Sequence, residues 1–348
     1  NTVEAYAYVT DANLDLRVFE SPSTEPGSAE INYSVRLGTD VGVLSGLADP
    51  GDTIKSLVKA DTPLSEIQTD GLTIEVLAGS DRVSFDLATG LQELSLTGAA
   101  DADIGGNAEA NTLTGNDGDN SLVGGHGNDM LIGGEGDDAA VGGAGTDIYV
   151  LEDDNGGAAY NPANYTFSGV STDASGAVSA TVDGPEGTDT LSGIEVLKVD
   201  NTGSATFVVL DGMSIQTAID AASDGDRIEV APGTYTGDLT IDKDVTLVGA
   251  NAGVAADGLR GPESVSEGLV EIEDAATVDG FDIDATFTSG GMRFVDVETD
   301  DASFVNNVVS IETPLDSGGS SAVFLGNNLT VSDNSFDWRG SLANRGDN

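Results

Sequence analysis

Five nine-residue frames follow one another without a gap from Gly106 to Val150: GNAEANTLT (106–114), GNDGDNSLV (115–123), GGHGNDMLI (124–132), GGEGDDAAV (133–141) and GGAGTDIYV (142–150). A fixed short period is the signature of stacked structural units. The last three frames keep the pattern GGxGxDxUx, in which U is apolar; the first two are degenerate, with Asn111 and Asn120 in the aspartate position and Glu109 in place of a glycine. Glycines admit the positive-φ backbone of a tight turn, and the triplet after each turn is a short strand whose eighth frame residue points inward. Leu113, Leu122, Leu131, Ala140 and Tyr149 hold that position. A flexible Gly/Asp linker would not keep an apolar residue in phase in this way.

The frames resemble the nonapeptides of RTX proteins, which are similar in every glycine and aspartate position of the last three. The resemblance implies that two nonapeptides make one turn of a right-handed parallel β-roll, so that residues eighteen apart stack. Asp129 would then lie on Asp147, Asn120 on Asp138 and Asn111 on Asp129. Carboxylates at the strand spacing of about 4.8 Å repel by roughly 3 to 4 kcal/mol at an effective dielectric of about 20. A cation is needed between them, and acceptor-only oxygens from carboxylates and loop carbonyls suit Ca2+ better than the tighter, more hydrated Mg2+. The candidate ligands are Asn111, Asp117, Asp119, Asn120, Asp129, Asp138 and Asp147, with loop glycines Gly125, Gly127, Gly134, Gly136, Gly143 and Gly145. Asp129 is expected to matter most, being stacked on both sides where Asp138 meets only Asn120. His126, at a variable loop position, is a solvated side chain.

Composition points the same way. Sixty-one acidic residues against twelve basic give a net charge of -49, which repels nucleic acid and anionic membranes and makes cations the natural partners, calcium ions being those that the resemblance implies. From Val83 to Leu197 there is no Lys or Arg, yet twenty Asp and Glu. Such a stretch folds readily only when metal offsets its charge. There is no cysteine, so metal would supply the stapling that disulfides give elsewhere. No apolar run is long enough to cross a membrane. Asn1 begins neither a Met start nor a signal peptide, and both ends read as cuts.

Upstream, Val83, Phe85 and Leu87 and then Leu94 and Leu96 alternate as strand residues, and resemble the metal-free lead-in coil of RTX arrays. Downstream, Gly187–Val199 resembles the strand pair that follows such arrays, and YTFSGV (165–170) reads as a strand between them. Residues 1–82 carry alternating segments, AYAYVT and EINYSVRL, expected to form antiparallel or coil strands.

Ile215, Ala218, Ile219 and Ala222 mark a short amphipathic helix that Ser214 could cap. The run from IQTAIDAASDGD to Asn251 resembles the opening of pectate-lyase-like right-handed parallel β-helices. There a helix caps the first coil, and Ile228, Val230, Leu239, Ile241, Val245 and Leu247 would be the inward ladder. TVDGFDI from Thr277, SFVNNVV from Ser303 and LTVSDNSF from Leu329 repeat at two steps of 26 residues, with turn residues Asn306, Asn307 and Asn334. A β-sandwich is the alternative for the same strand spacing.

The expected fold is therefore all-β: a parallel β-roll joined to a right-handed parallel β-helix with one short capping α-helix. Residues 1–82 form a β-rich region, 83–203 the roll with its flanking coils, and 204–348 the β-helix, expected to continue past Asn348 because no capping helix follows Phe336. Two functions compete. One is a secreted bacterial structural or adhesive protein of a surface layer, matrix or adhesin, exported by a type I system as the RTX resemblance implies, with extracellular polysaccharide or identical subunits as partners. The other is a polysaccharide lyase or uronan epimerase acting through the β-helix. Lyase chemistry needs a base, and the candidates are Lys243, Arg260, Arg293 and Arg339, with calcium-holding Asp282, Asp284, Asp296 and Glu298 beside Arg293. A solvated acidic face is the expectation for that row, and no catalytic residue is assigned. Trp338 with Phe336 is too small an aromatic surface for a carbohydrate platform.

Overall fold

The computed structural model describes residues 83–87, 92–99, 101–151, 164–174, 176–200, 204–286, 293–312 and 321–338, together with the strands Leu14–Ser21, Glu30–Leu37, Leu47–Ala48, Thr53–Ile54 and Leu72–Val76. AYAYVT and Arg339 lie outside the described residues. Nearly all regular structure is β, with a single described helix. The chain forms two compact units, Asn1–Ser171 with Ala177–Glu195, and Thr172–Gly176 with Val196–Asn348.

The first unit is a roll whose chain alternates between two parallel sheets. One contains Val83–Asp86, Ala102–Gly105, Ser121–His126, Ala139–Ala144 and Thr188–Ile194; the other Leu72–Val76, Glu93–Gly98, Thr112–Thr114, Met130–Ile132 and Ile148–Leu151. The eighteen-residue register holds within the repeat: Leu122 faces Ile104 and Ala140, and Leu131 faces Leu113 and Tyr149. All six are at most 1% exposed. Burying each larger side chain contributes about 1.5–3 kcal/mol, so this ladder is the apolar force that draws coils together. Leu94, Leu96, Ala102 and Ile104 extend it upstream as a buried lead-in coil. Leu14–Ser21 lies parallel to Leu72–Val76 and antiparallel to Glu30–Leu37, so EINYSVRL is a hairpin strand. Downstream, Thr188–Ile194 is more than a trailing strand: it stacks parallel on Ala139–Ala144 as a further coil, with Val178–Asp183 antiparallel on its other side.

The second unit is a three-sheet parallel coil. Ile228, Leu247, Val278 and Phe304 stack on one inward face, and Tyr235, Ser266, Ile283 and Val309 on another. The third holds Ile241, Ile272 and Val297. Val331 and Phe336 continue the first two columns and stand 43% and 47% exposed. The repeat is less regular than its sequence suggests: Thr277 pairs with Ser303 but Ser303 pairs with Thr330 rather than Leu329, because one more residue is accommodated before the last coil.

Helix Ile215–Ala221 closes the first coil, capped by the Ser214 hydroxyl, which accepts from Thr217 N. Gln216 substitutes for a strand at the open edge, its amide exchanging two hydrogen bonds with the Thr240 backbone. Turns in later coils are closed by side-chain amides. Asn307 Oδ1 accepts from Phe281 N while its Nδ2 donates to Val278 O, and Asn334 repeats the motif one coil on. Gly280, Asn306 and Asp333 precede Phe281, Asn307 and Asn334 with positive φ, where Asn and Asp are the best-tolerated non-glycine residues.

Arg260, 8% exposed, forks onto Glu263 with two 2.8 Å contacts and donates to the carbonyls of Val254, Asn306, Gly280 and Phe281. It thereby fastens a loop across the turns of successive coils. Arg260→Ala is expected to destabilise this unit by about 2–4 kcal/mol, since it removes the fork onto Glu263 and the donors to the Val254 and Asn306 carbonyls. Arg260→Lys should not restore the loss, because an ammonium cannot reproduce the fork. Urea unfolding followed through the single Trp338 measures both.

Candidate metal centre

Each glycine-rich turn of the roll ends in a buried position-six side chain, and the coil spacing stacks these into two columns. In the first, Asn111 N donates to Asp129 Oδ1 at 2.7 Å, Asp129 N to Asp147 Oδ1 at 2.8 Å and Asp147 N to Glu195 Oε2 at 2.8 Å. In the second, Asn120 N donates to Asp138 Oδ1 at 2.6 Å and Asp138 N to Asp189 Oδ1 at 3.0 Å. The expected pairs of Asp129 with Asp147, Asn120 with Asp138 and Asn111 with Asp129 are all present. Asp138, however, is stacked on both sides, contrary to the expectation that it meets only Asn120. The reason is that residues 184–192, GPEGTDTLS, form another frame after the interruption 151–183, with Asp189 at position six and Leu191 inward. The Gly-x-x-Gly-x-Asp-x-Leu spacing was visible in the sequence, hidden by the interruption and by Pro185 in the second position.

One carboxylate oxygen of each column aspartate is therefore hydrogen-bonded. The other, Oδ2 of Asp129, Asp138 and Asp147, is buried and meets no donor among the described residues. Burial pushes the Asp138 carboxyl up to about 7, opposed by the Asn120 N–H and increased by the Asp189 charge. Burial likewise raises Asp147 to about 6, opposed by the Asp129 N–H and aided by the Asp129 and Glu195 charges, and it raises Asp129. Three anionic oxygens out of water with no donor are what a hard cation requires. No group of three or more His, Asp or Glu side chains converges among the described residues.

The glycines serve this arrangement in two ways. At frame position one, a Cβ on Gly124, Gly133 or Gly142 would collide with Oδ2 of Asp129, Asp138 or Asp147 respectively. At positions two and four, Gly125, Gly127, Gly134, Gly136, Gly143 and Gly145 all have positive φ, and a Cβ on any of them would strike a carbonyl of the preceding coil. The turn backbones are thus free to pack coil on coil.

Asp117 and Asp119 stand outside the buried columns. Asp117 is exposed, lining with Glu135 and Glu186 a groove of about 420 Å³. Asp119 is exposed in an outer row in which Asp119 N donates to Asp101 Oδ1 and Asp137 N to Asp119 Oδ1. His126 is exposed.

In the second unit, Lys243 Nζ donates to the carbonyls of Ile219 and Asp220 at the end of the helix, and Arg260 is held by the turn carbonyls. Two of the four basic candidates are thus committed to structure. Phe281, Ile283, Val295 and Val297 point inward as expected, but Asp296 is only 7% exposed, so the neighbouring acidic row is not uniformly solvated. The reason lies in its position on a central strand, Arg293–Val297, flanked by Val270–Ile272 and Ser321–Phe324.

Gly133→Ala tests the turn geometry, since its methyl would meet both Asp138 Oδ2 and the Tyr149 hydroxyl. It is expected to weaken calcium binding by tenfold or more, roughly 1.4 kcal/mol or above, in a calcium titration, whereas Ala139→Gly on the exposed strand face should change it little.

No curated protein matches the chain. Among solved structures, the crystal structure of the extracellular lipase LipA from Serratia marcescens is similar at 13% identity with a TM-score of 0.22, over 68% of this chain and 39% of that one. The chain thus spans well under two thirds of that protein's length. Residues 105–140 and 127–156 match the RTX calcium-binding nonapeptide repeat, and this part of the chain binds Ca2+.

Proposed function

We propose that this chain is a calcium-rigidified structural or adhesive part of a secreted bacterial protein, in which binding of calcium and folding of residues 106–150 are one event. The observation that carries this reading is the set of three buried Oδ2 atoms at Asp129, Asp138 and Asp147, for which a cation supplies the missing positive partner. The ligands are these carboxylates with carbonyls of the glycine turns. Extracellular calcium modules bind at about 0.1–1 mM, a range that keeps such a roll loose in the cytosol and folded after export. No described helix is long and apolar enough to cross a membrane. Extracellular polysaccharide or a second copy of the chain fits as partner, through a solenoid surface made rigid by the ion. The commitment of Lys243 and Arg260 to main-chain carbonyls supports this reading over a lyase or epimerase. Incubation with alginate and pectate separates the two: release of unsaturated ends that depends on Arg293 would overturn the structural assignment.

Chelation should remove strand signal in circular dichroism, with pH working in a defined direction. The folded carboxyls titrate near 6 and 7 instead of the ordinary 3.8, so the metal-free fold holds more protons than the unfolded chain in between. Their contribution to metal-free stability is full below about pH 4 and is lost as pH rises through about 6 to 7. Strand signal in chelator should accordingly be greater at about pH 5 than at pH 8, while calcium affinity should fall as protons compete below about pH 7. A chelator-insensitive signal at pH 8 would sink the coupling.

Because Asp138 now has neighbours on both sides, Asp129→Ala and Asp138→Ala should reduce calcium affinity to a similar degree, each by about tenfold or more. Calorimetric titration of the two variants side by side checks this. A tenfold gap between them would mean that the columns are not equivalent.

A further inference from the structure

The position-six residues of the two degenerate frames are satisfied without a cation. Asn120 Oδ1 accepts from Asn116 N at 2.7 Å and its Nδ2 donates to Asn116 Oδ1 at 3.1 Å. Asn111 makes the same bridge to Asn107, at 2.7 Å and 3.3 Å. The second-position oxygens also order the turn: Asn116 Oδ1 accepts from Gly118 N, and Asn107 Oδ1 from Glu109 N. In the aspartate frames the second position is a glycine, which offers no such side chain, and Oδ2 is left over. At the far end of the second column, Asp189 differs again. Its Oδ1 accepts from Asp138 N, but its Oδ2 accepts from the Tyr149 hydroxyl at 2.8 Å. Tyr149 is buried at an inward strand position held by leucine in four of the other five frames, and its length brings the hydroxyl to the turn beside Gly133.

We propose that protein groups take the cation's place at the margins of the calcium ladder, the Asn107–Asn111 and Asn116–Asn120 bridges at the first coil and the Tyr149 hydroxyl at Asp189, leaving Asp129, Asp138 and Asp147 as the cation-demanding positions between them. An amide Nδ2 stands where an aspartate would carry a bare oxygen, and it donates where calcium would accept. The asparagine coil therefore folds on the lead-in coil irrespective of calcium and presents a finished template, onto which the calcium-dependent coils stack. The proposal rests on the reading of the aspartates as calcium ligands.

The test uses the full chain and calcium alone, with bound ions counted by competition against a chromophoric chelator. Asn120→Asp places two acceptor oxygens face to face across the turn and should raise the count by about one ion per chain, with a loss of strand signal in chelator. Tyr149→Phe should likewise add about one ion by freeing Asp189 Oδ2. Asp129→Asn serves as the reference and should lower the count. If Asp129→Asn lowers it while neither Asn120→Asp nor Tyr149→Phe raises it, the closure is wrong and the calcium assignment stands. If Asp129→Asn leaves it unchanged, both fall. Asn116→Ala keeps the proposal open to refutation should the charged variant not fold: it should lower the thermal midpoint equally in calcium and in chelator. A loss confined to calcium would make Asn120 a ligand and overturn the proposal.

Discussion

Negative charge buried at the repeat distance of a parallel coil is the constraint on which the roll depends. The leucine ladder gains free energy only if successive coils approach to strand spacing, and that same approach brings Asp129 onto Asp147 and Asp138 onto Asp189. Backbone N–H groups satisfy one oxygen of each carboxylate but cannot neutralise the charge. No Lys or Arg occurs between Val83 and Leu197 to supply positive counter-charge. In the proposed reading an ion reconciles the apolar and electrostatic requirements, and the glycines let turn backbones and carboxylates come within contact of one another.

The second unit meets the same geometric demand with different chemistry. Its turns also stack at coil spacing, but Asn307 and Asn334 place neutral amides where the roll has carboxylates, each both accepting an N–H and donating to a carbonyl. Arg260 adds a fixed cation of the chain's own to carbonyls left over at the turns. These turns are closed by groups of the chain itself. Asn111 and Asn120 show the amide solution inside the roll itself, each bridged to the asparagine four residues before it.

Much of the fold and the candidate site was legible in the residues themselves. The nine-residue phase of Leu113, Leu122, Leu131, Ala140 and Tyr149 specified strands with one buried side chain each, and the aspartates beside them carry the proposed metal chemistry. The column partners of Asp129 followed from the period once two frames were taken per turn. The apolar alternation around Ile228, Ile241 and Leu247 specified a second set of coils, and Ser214 its capping helix. What escaped was the role of residues beyond the uninterrupted repeat, for an interruption destroys the phase on which such reading depends.

Local pattern thus determined which residues turn, which enter the core and which carry charge, because backbone conformation and burial preference are properties of a few adjacent residues. Beyond the uninterrupted repeat, tertiary structure alone decided who stands above whom. Asp189 joins Asp138 from across residues 151–183, Glu195 joins Asp147, and Tyr149 reaches the carboxylate of a different turn, since stacking depends on distance in space rather than along the chain. The division of Asn111 and Asn120 from the aspartates is of the same kind. Both types fit the repeat as oxygen-bearing side chains, and only the positions of their neighbours, Asn107 and Asn116 on one hand and bare glycines on the other, determine which oxygen is already bonded and which still needs an ion.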